Sequence, residues 1–113
     1  MKVTIWHNPR CSKSRQTLQL LKDRAIEPEI VDYQKSPPDK PEISRILGLL
    51  SLKPSDVIRK GEKIYKELGL ESAGADELLD AMVAHPILIE RPIVEANGKA
   101  ALGRPPENVL AIL

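Results

Sequence analysis

The chain has 113 residues, of which 42% are apolar, and a formal net charge of +1. Such a length is enough for one domain to bury a core without metal or disulfide support. The near-neutral charge argues against a nucleic-acid or membrane surface at the level of the whole protein. No apolar run approaches the ~20 residues of a membrane span, and the N-terminus has no signal-peptide pattern.

The numbers of cysteine and histidine residues argue against two further classes, disulfide-bonded proteins and metalloproteins. One cysteine cannot form an internal disulfide, and two histidines offer no metal-ligand cluster. We expect a soluble, monomeric protein of the reducing cytoplasm, without a metal ion or a tightly bound cofactor.

The first third of the chain predicts a β-α-β unit. Residues 2–6 alternate in hydropathy as a strand does, and residues 12–24 have the apolar spacing of a helix. After Pro28, Glu29–Tyr33 predicts a second strand. The two strands should be parallel, with a right-handed crossover.

Residues 39–85 predict a helical insertion, which follows a proline-rich loop at 36–41. Its four helical segments are a helix at 43–50, a short helix capped by Ser55, a helix at 62–68 stopped by Gly69, and a helix opened by Asp76 and ended by Pro86.

The last part of the chain returns to strand patterns. Ile87–Ile89 and Pro92–Val94 are apolar and β-prone, Asn97-Gly98 is a strong hairpin signal, and Arg104 opens a terminal helix. The order β-α-β, helical insertion, β-β-α predicts an α/β fold that is thioredoxin-like (glutaredoxin-like), with a mixed β-sheet and flanking helices. We expect one domain over 1–113.

The only cysteine, Cys11, lies at the predicted junction of the first strand and the first helix. Unpaired backbone N–H groups and the helix dipole favour an anion there, and basic residues surround the thiol, Arg15 among them. We interpret Cys11 as a reactive thiolate. Ser14 stands where a C-x-x-C motif has its second cysteine, so Cys11 acts alone and needs an external thiol.

Other polar residues are candidates for the same site. Arginine binds tetrahedral oxyanions through a planar fork, and Arg59, Arg91 and Arg104 occur where this fold can bring them near Cys11. The Ser14 hydroxyl is one helical turn from the thiol and is a candidate hydrogen-bond donor to it. His7 either tunes the thiolate or only contacts backbone at the strand end.

Four segments together resemble the glutaredoxin-coupled arsenate reductase (ArsC) family, in particular its ArsC-like branch. The match runs in order over nearly the whole chain, and the combined signature is highly specific. The segments are His7-Asn8-Pro9-x-Cys11-x-x-Ser14-Arg15, Ile58-Arg59-Lys60, His85 to Val94 and Gly103-Arg104-Pro105.

The resemblance implies that Cys11 is the nucleophile that attacks arsenate or a related oxyanion. It also implies an oxyanion site of Arg59, Arg91 and Arg104, and a cis proline at Pro92. Glutathione would be the co-substrate, and glutaredoxin the partner that completes the reduction to arsenite.

Two other functions stay open. The first is a glutathione-dependent thiol oxidoreductase that acts on mixed disulfides through Cys11, against which the three arginines argue. The second is a non-enzymatic transcriptional regulator like the Spx proteins, which share this fold and bind RNA polymerase. Those proteins usually carry a C-x-x-C switch, and Ser14 removes it here.

Overall fold

A computed structural model describes residues 2–113 of the chain, and a four-stranded mixed sheet lies at its centre. The strand order is β2-β1-β3-β4, with β1 and β2 parallel and the other two pairs antiparallel. The strands are β1 (Val3–His7), β2 (Glu29–Asp32), β3 (Ile93–Ala96) and β4 (Lys99–Leu102). This mixed sheet with flanking helices confirms the predicted fold class.

The helices alternate with short 3₁₀ turns. The α-helices are α1 (Ser12–Asp23), α2 (Lys40–Leu50), α3 (Pro54–Val57), α4 (Lys63–Glu67) and α5 (Ala75–Ala84). The 3₁₀ segments are Leu70–Ser72, Pro86–Leu88 and the C-terminal Pro106–Ile112. Among residues 2–113, no helix is long and apolar enough to cross a membrane.

The chain separates into two compact units. The first, which we call the sheet unit, comprises the described residues up to Ser36 and Arg91–Leu113. Its core lies where β1 and β3 pack with α1 and the C-terminal 3₁₀ helix, since apolar residues alternate along both strands. The core residues are Val3, Ile5, Leu21, Val94, Ala96, Val109 and Ile112.

The second unit, which we call the insertion unit, is Pro37–Glu90 and contains α2 to α5. It is therefore a few residues longer at each end than the predicted insertion at 39–85. Its helices bury apolar residues at helical spacing. They include Ile43, Ile46, Leu47, Leu78, Ala81 and Met82.

The predicted β-α-β unit and the hairpin are both present. Asn97 and Gly98 form the turn between β3 and β4 with φ of 56° and 72°. Positive φ at both central residues matches the twist of the flanking strands, which explains why Asn-Gly suits this turn.

Two sequence-based assignments were wrong. Ser55 does not cap α3: the helix begins at Pro54, whose missing N–H suits a first helical position, and the Asp56 carboxylate accepts the Lys53 N–H at 2.9 Å. Ile87–Ile89 is not a strand, because Pro86 opens a 3₁₀ turn and only Ile89 makes a β-bridge, with Ile58.

Candidate active site

Cys11 is the N-cap residue of α1, in the loop that follows β1. Asn8 holds this loop in two ways. Its carbonyl accepts the Cys11 N–H at 3.0 Å, and its side-chain oxygen accepts the Arg10 N–H at 3.0 Å. Asn8 was not among the predicted site residues, although Asn before Pro is a turn signal.

The surroundings of the Cys11 thiol favour its ionised form. Partial burial raises the pKa of the thiol, but hydrogen bonds from the Ser14 backbone, the Arg91 side chain and the Lys13 backbone outweigh it. The charge of Arg91 acts in the same direction, so the pKa lies below the ordinary value of a cysteine. A lowered pKa increases the fraction of thiolate, which is the nucleophilic form.

Arg104 reaches the same sulfur from the other end of the sequence. Its Nη2 donates to Cys11 Sγ at 3.6 Å, and its Nε donates to the Arg91 carbonyl at 2.8 Å. Arg91 is buried, with 9% of its surface exposed. The structure therefore brings Cys11, Arg91 and Arg104 together.

Both arginines precede a proline in the cis conformation. The Arg91–Pro92 bond is cis, as the resemblance implies. The Arg104–Pro105 bond is cis as well, which was not predicted. The Gly103 N–H donates to the Pro92 carbonyl at 2.9 Å, so the two Arg-Pro segments are hydrogen-bonded to each other.

The Ser14 hydroxyl has different partners from those predicted. It lies 2.6 Å from His7 Nδ1 and accepts the Asn8 N–H at 3.0 Å, while the backbone of Ser14, and not its hydroxyl, acts on the thiol. Ser14 is fully buried, and a buried hydroxyl bonds to the polar groups nearest to it.

His7 is buried at the end of β1 and contacts the loop through Ser14. Burial lowers the pKa of its imidazole; the carboxylate of Asp32 opposes that effect, and the charges of Arg15 and Lys22 add to it. His7 thus supports the loop in its neutral form at physiological pH. Arg15 is exposed, and its Nη1 donates to the Pro9 carbonyl at 2.8 Å, bracing the same loop.

Arg59 belongs to the insertion unit, where two carboxylates hold its guanidinium. Nε donates to Glu62 Oε2 at 3.1 Å and Nη1 donates to Glu90 Oε1 at 2.7 Å. The antiparallel β-bridge between Ile58 and Ile89 holds these two segments together: the Arg59 N–H donates to the Leu88 carbonyl at 2.7 Å, and the Glu90 N–H donates to the Val57 carbonyl at 2.8 Å. That Arg59 binds an oxyanion stays a prediction.

The sheet-unit site combines a thiolate with guanidinium donors, an arrangement suited to attack on an anionic, oxygen-rich centre. Within residues 2–113, no three histidine, cysteine or carboxylate side chains are grouped to hold a metal ion. A thiol with a lowered pKa beside guanidinium donors offers nucleophilic attack by sulfur, with cationic stabilisation of oxygens.

The chain is similar to known proteins over nearly its whole length. The model of the ArsC family matches residues 6–112. An arsenate reductase of Neisseria meningitidis serogroup B is 50% identical over 98% of this chain and 97% of its own. An uncharacterized protein of Escherichia coli K12, YfgD, is also 50% identical, over 98% and 96% of the two chains.

Among solved structures, an arsenate reductase from Vibrio cholerae superposes with a TM-score of 0.96 at 47% identity, covering 100% of this chain and 98% of the other. The match spans both compact units and confirms the thioredoxin-like fold class. With the family model covering almost the whole sequence, these likenesses establish that the chain belongs to the ArsC family.

Proposed function

We propose that this protein is an arsenate reductase that converts arsenate to arsenite through Cys11. The observation that carries the proposal is the thiol itself: its pKa is lowered, and Arg104 Nη2 lies 3.6 Å from Sγ. A tetrahedral oxyanion attacked by this sulfur would meet guanidinium donors already in place. Relatives named as arsenate reductases, similar over nearly their full length, support arsenate as the substrate.

The first step is attack of the Cys11 thiolate on arsenic(V). A sulfur–arsenic bond forms, and one arsenate oxygen leaves as water after protonation. Arg91 and Arg104 would stabilise the negative charge that develops on the remaining oxygens, because preorganised donors act most strongly on charge formed in the transition state.

The electrons for reduction come from thiols outside this chain, since Cys11 is the only cysteine. Glutathione displaces a second oxygen as water and leaves arsenic bound to two sulfurs. A glutaredoxin thiolate then attacks the glutathione sulfur and forms a mixed disulfide. The sulfur–arsenic bond to glutathione breaks, its electron pair reduces arsenic(V) to arsenic(III), and water releases arsenite from Cys11.

The test is arsenate-dependent NADPH oxidation with glutathione, glutaredoxin and glutathione reductase present. Wild type should turn over, and Cys11→Ser should not, because a hydroxyl is a far weaker nucleophile than a thiolate. Arg104→Gln and Arg91→Gln should each lower kcat/KM by ~10²–10³-fold, as expected for loss of an oxyanion donor. Arg59→Gln, run in the same assay, tests the third arginine.

Arg24→Gln is the matched control, because Arg24 is exposed at the C-terminal end of α1 and should not alter turnover. Absence of turnover in wild type would refute arsenate reduction. If the same preparation then reduced glutathione mixed disulfides in a Cys11-dependent way, we would assign the protein as a glutathione-dependent thiol oxidoreductase instead.

A further inference from the structure

Gly103 lies directly after β4 and directly before Arg104, and it is buried. Its N–H donates to the Pro92 carbonyl, and its Cα faces Thr17 on α1. Thr17 is fully buried, and its hydroxyl donates to the Lys13 carbonyl at 2.8 Å. The backbone at Gly103, directly before Arg104, therefore lies between the Thr17 side chain and the Pro92 ring.

No side chain fits at this position. A Cβ built on Gly103 would lie 2.5 Å from Thr17 Oγ1, 2.7 Å from Pro92 Cγ and 3.1 Å from Thr17 Cγ2, whereas ordinary contacts are 3.4–4 Å. The other glycines, all within residues 2–113, have nothing within 4 Å of a built Cβ. Gly103 is therefore the glycine whose missing side chain permits a close approach.

We propose that Gly103 is a positioning residue for the active site. Its missing Cβ lets the segment after β4 lie against Thr17 and Pro92, and this approach places the Arg104 guanidinium at Cys11 Sγ. The same approach sets Arg104 Nε on the backbone carbonyl of Arg91, so one glycine fixes Arg104 relative both to the thiol and to the Arg91 backbone. For its catalytic consequence the inference rests on the proposed function, whereas the effect on the thiol does not depend on it.

The required displacement is large on the scale of the site. A methyl group at 103 needs about 1 Å more room than the structure provides. Neither neighbour yields easily, because the Thr17 hydroxyl is hydrogen-bonded and the Pro92 ring is rigid. The backbone before Arg104 is the part left to move. A misplacement of about 1 Å costs on the order of 10²-fold in rate when it affects reacting geometry.

The experiment compares Gly103→Ala with Gly48→Ala, whose added methyl group meets open space on the exposed side of α2. Two readouts are measured on the folded proteins: the pH dependence of Cys11 alkylation by iodoacetamide, and kcat and KM for arsenate. Gly103→Ala should shift the alkylation midpoint to higher pH and lower kcat/KM by ~10–10²-fold. Gly48→Ala should leave both unchanged.

Thr17→Ala supplies the rescue, because it removes two of the three close atoms. Adding it to Gly103→Ala should move the alkylation midpoint back toward that of Thr17→Ala alone, as a double-mutant cycle measures. A merely structural role would lower stability yet leave the midpoint of the folded protein in place.

An alkylation midpoint in Gly103→Ala equal to that of wild type would overturn the inference. So would a Gly103→Ala protein that does not fold and that Thr17→Ala does not recover, because the position would then be needed for folding alone. If wild type does not reduce arsenate, only the proposed function fails, and the alkylation profiles still decide the role of Gly103.

Discussion

The loop around Cys11 depends on one buried hydroxyl. Ser14 Oγ contacts both His7 Nδ1 and the Asn8 N–H, and Asn8 in turn accepts the N–H groups of Arg10 and Cys11. The hydroxyl therefore links the end of β1 to the first turn of α1. Its loss would leave two buried polar groups unsatisfied.

Ser14→Ala should therefore lower the free energy of unfolding by about 1–3 kcal/mol, the cost of burying polar groups without partners. The thiol pKa should change little, since the backbone of Ser14, which the substitution keeps, acts on Cys11. Urea denaturation and iodoacetamide alkylation measure the two effects. Ser12→Ala, at an exposed position in the same turn, is the control, and equal stability in the two variants would contradict the assignment.

At the scale of elements, the N-terminus of α1 is arranged to stabilise the negative charge of the Cys11 thiolate and not that of a carboxylate in the first turn. The first turn contains no acidic residue, and Cys11 itself occupies the N-cap position. Most helices place a carboxylate or hydroxyl there for stability. Here the backbone N–H groups at the helix end stabilise the Cys11 thiolate instead. The stability of α1 and the reactivity of Cys11 therefore depend on the same N–H groups.

Ser12→Asp should separate these two properties. A carboxylate in the first turn should stabilise α1 by about 0.3–1 kcal/mol through the helix dipole. The same charge should raise the Cys11 pKa by like-charge repulsion, so alkylation at neutral pH becomes slower. Ser12→Asn, which adds no charge, is the control. A stabilised variant with an unchanged alkylation profile would show that the helix terminus does not tune the thiol.

Local signals in the sequence predicted those elements whose conformation is decided locally. The Asn97-Gly98 turn and the strand-to-helix junction at Cys11 are examples. Ile87–Ile89 was misassigned, because a short apolar run fits either a strand or a buried turn. The packing of Gly103 against Thr17 was not predictable, since it joins residues distant in sequence.

At the scale of the whole molecule, the sheet order explains how the candidate site is assembled. β1 lies beside β3, so the loop after β1 lies near the segment before β3. That segment carries Arg91, and the chain returns through β4 to Arg104, 93 positions after Cys11. The sequence supplied the residue types, and the antiparallel pairing of β1 with β3 supplied their proximity.

The stability of the whole molecule should depend on pH through His7. Burial is the main reason that its pKa is lowered; Asp32 opposes this, and Arg15 and Lys22 add to it. As the pH falls below about 6.5, the unfolded chain binds a proton that the native His7 resists. The unfolded state then binds more protons than the native state, so the free energy of unfolding must decrease as the pH is lowered.

Urea denaturation from about pH 7.5 to about 5.5 tests this, because most carboxylates titrate below that range. Wild type should lose stability across it. His7→Gln should be less stable at neutral pH, since the bond to Ser14 changes, but its stability should vary less with pH. Arg24→Gln should keep the wild-type slope. An unchanged slope in His7→Gln would show that His7 is not the group whose protonation opposes folding.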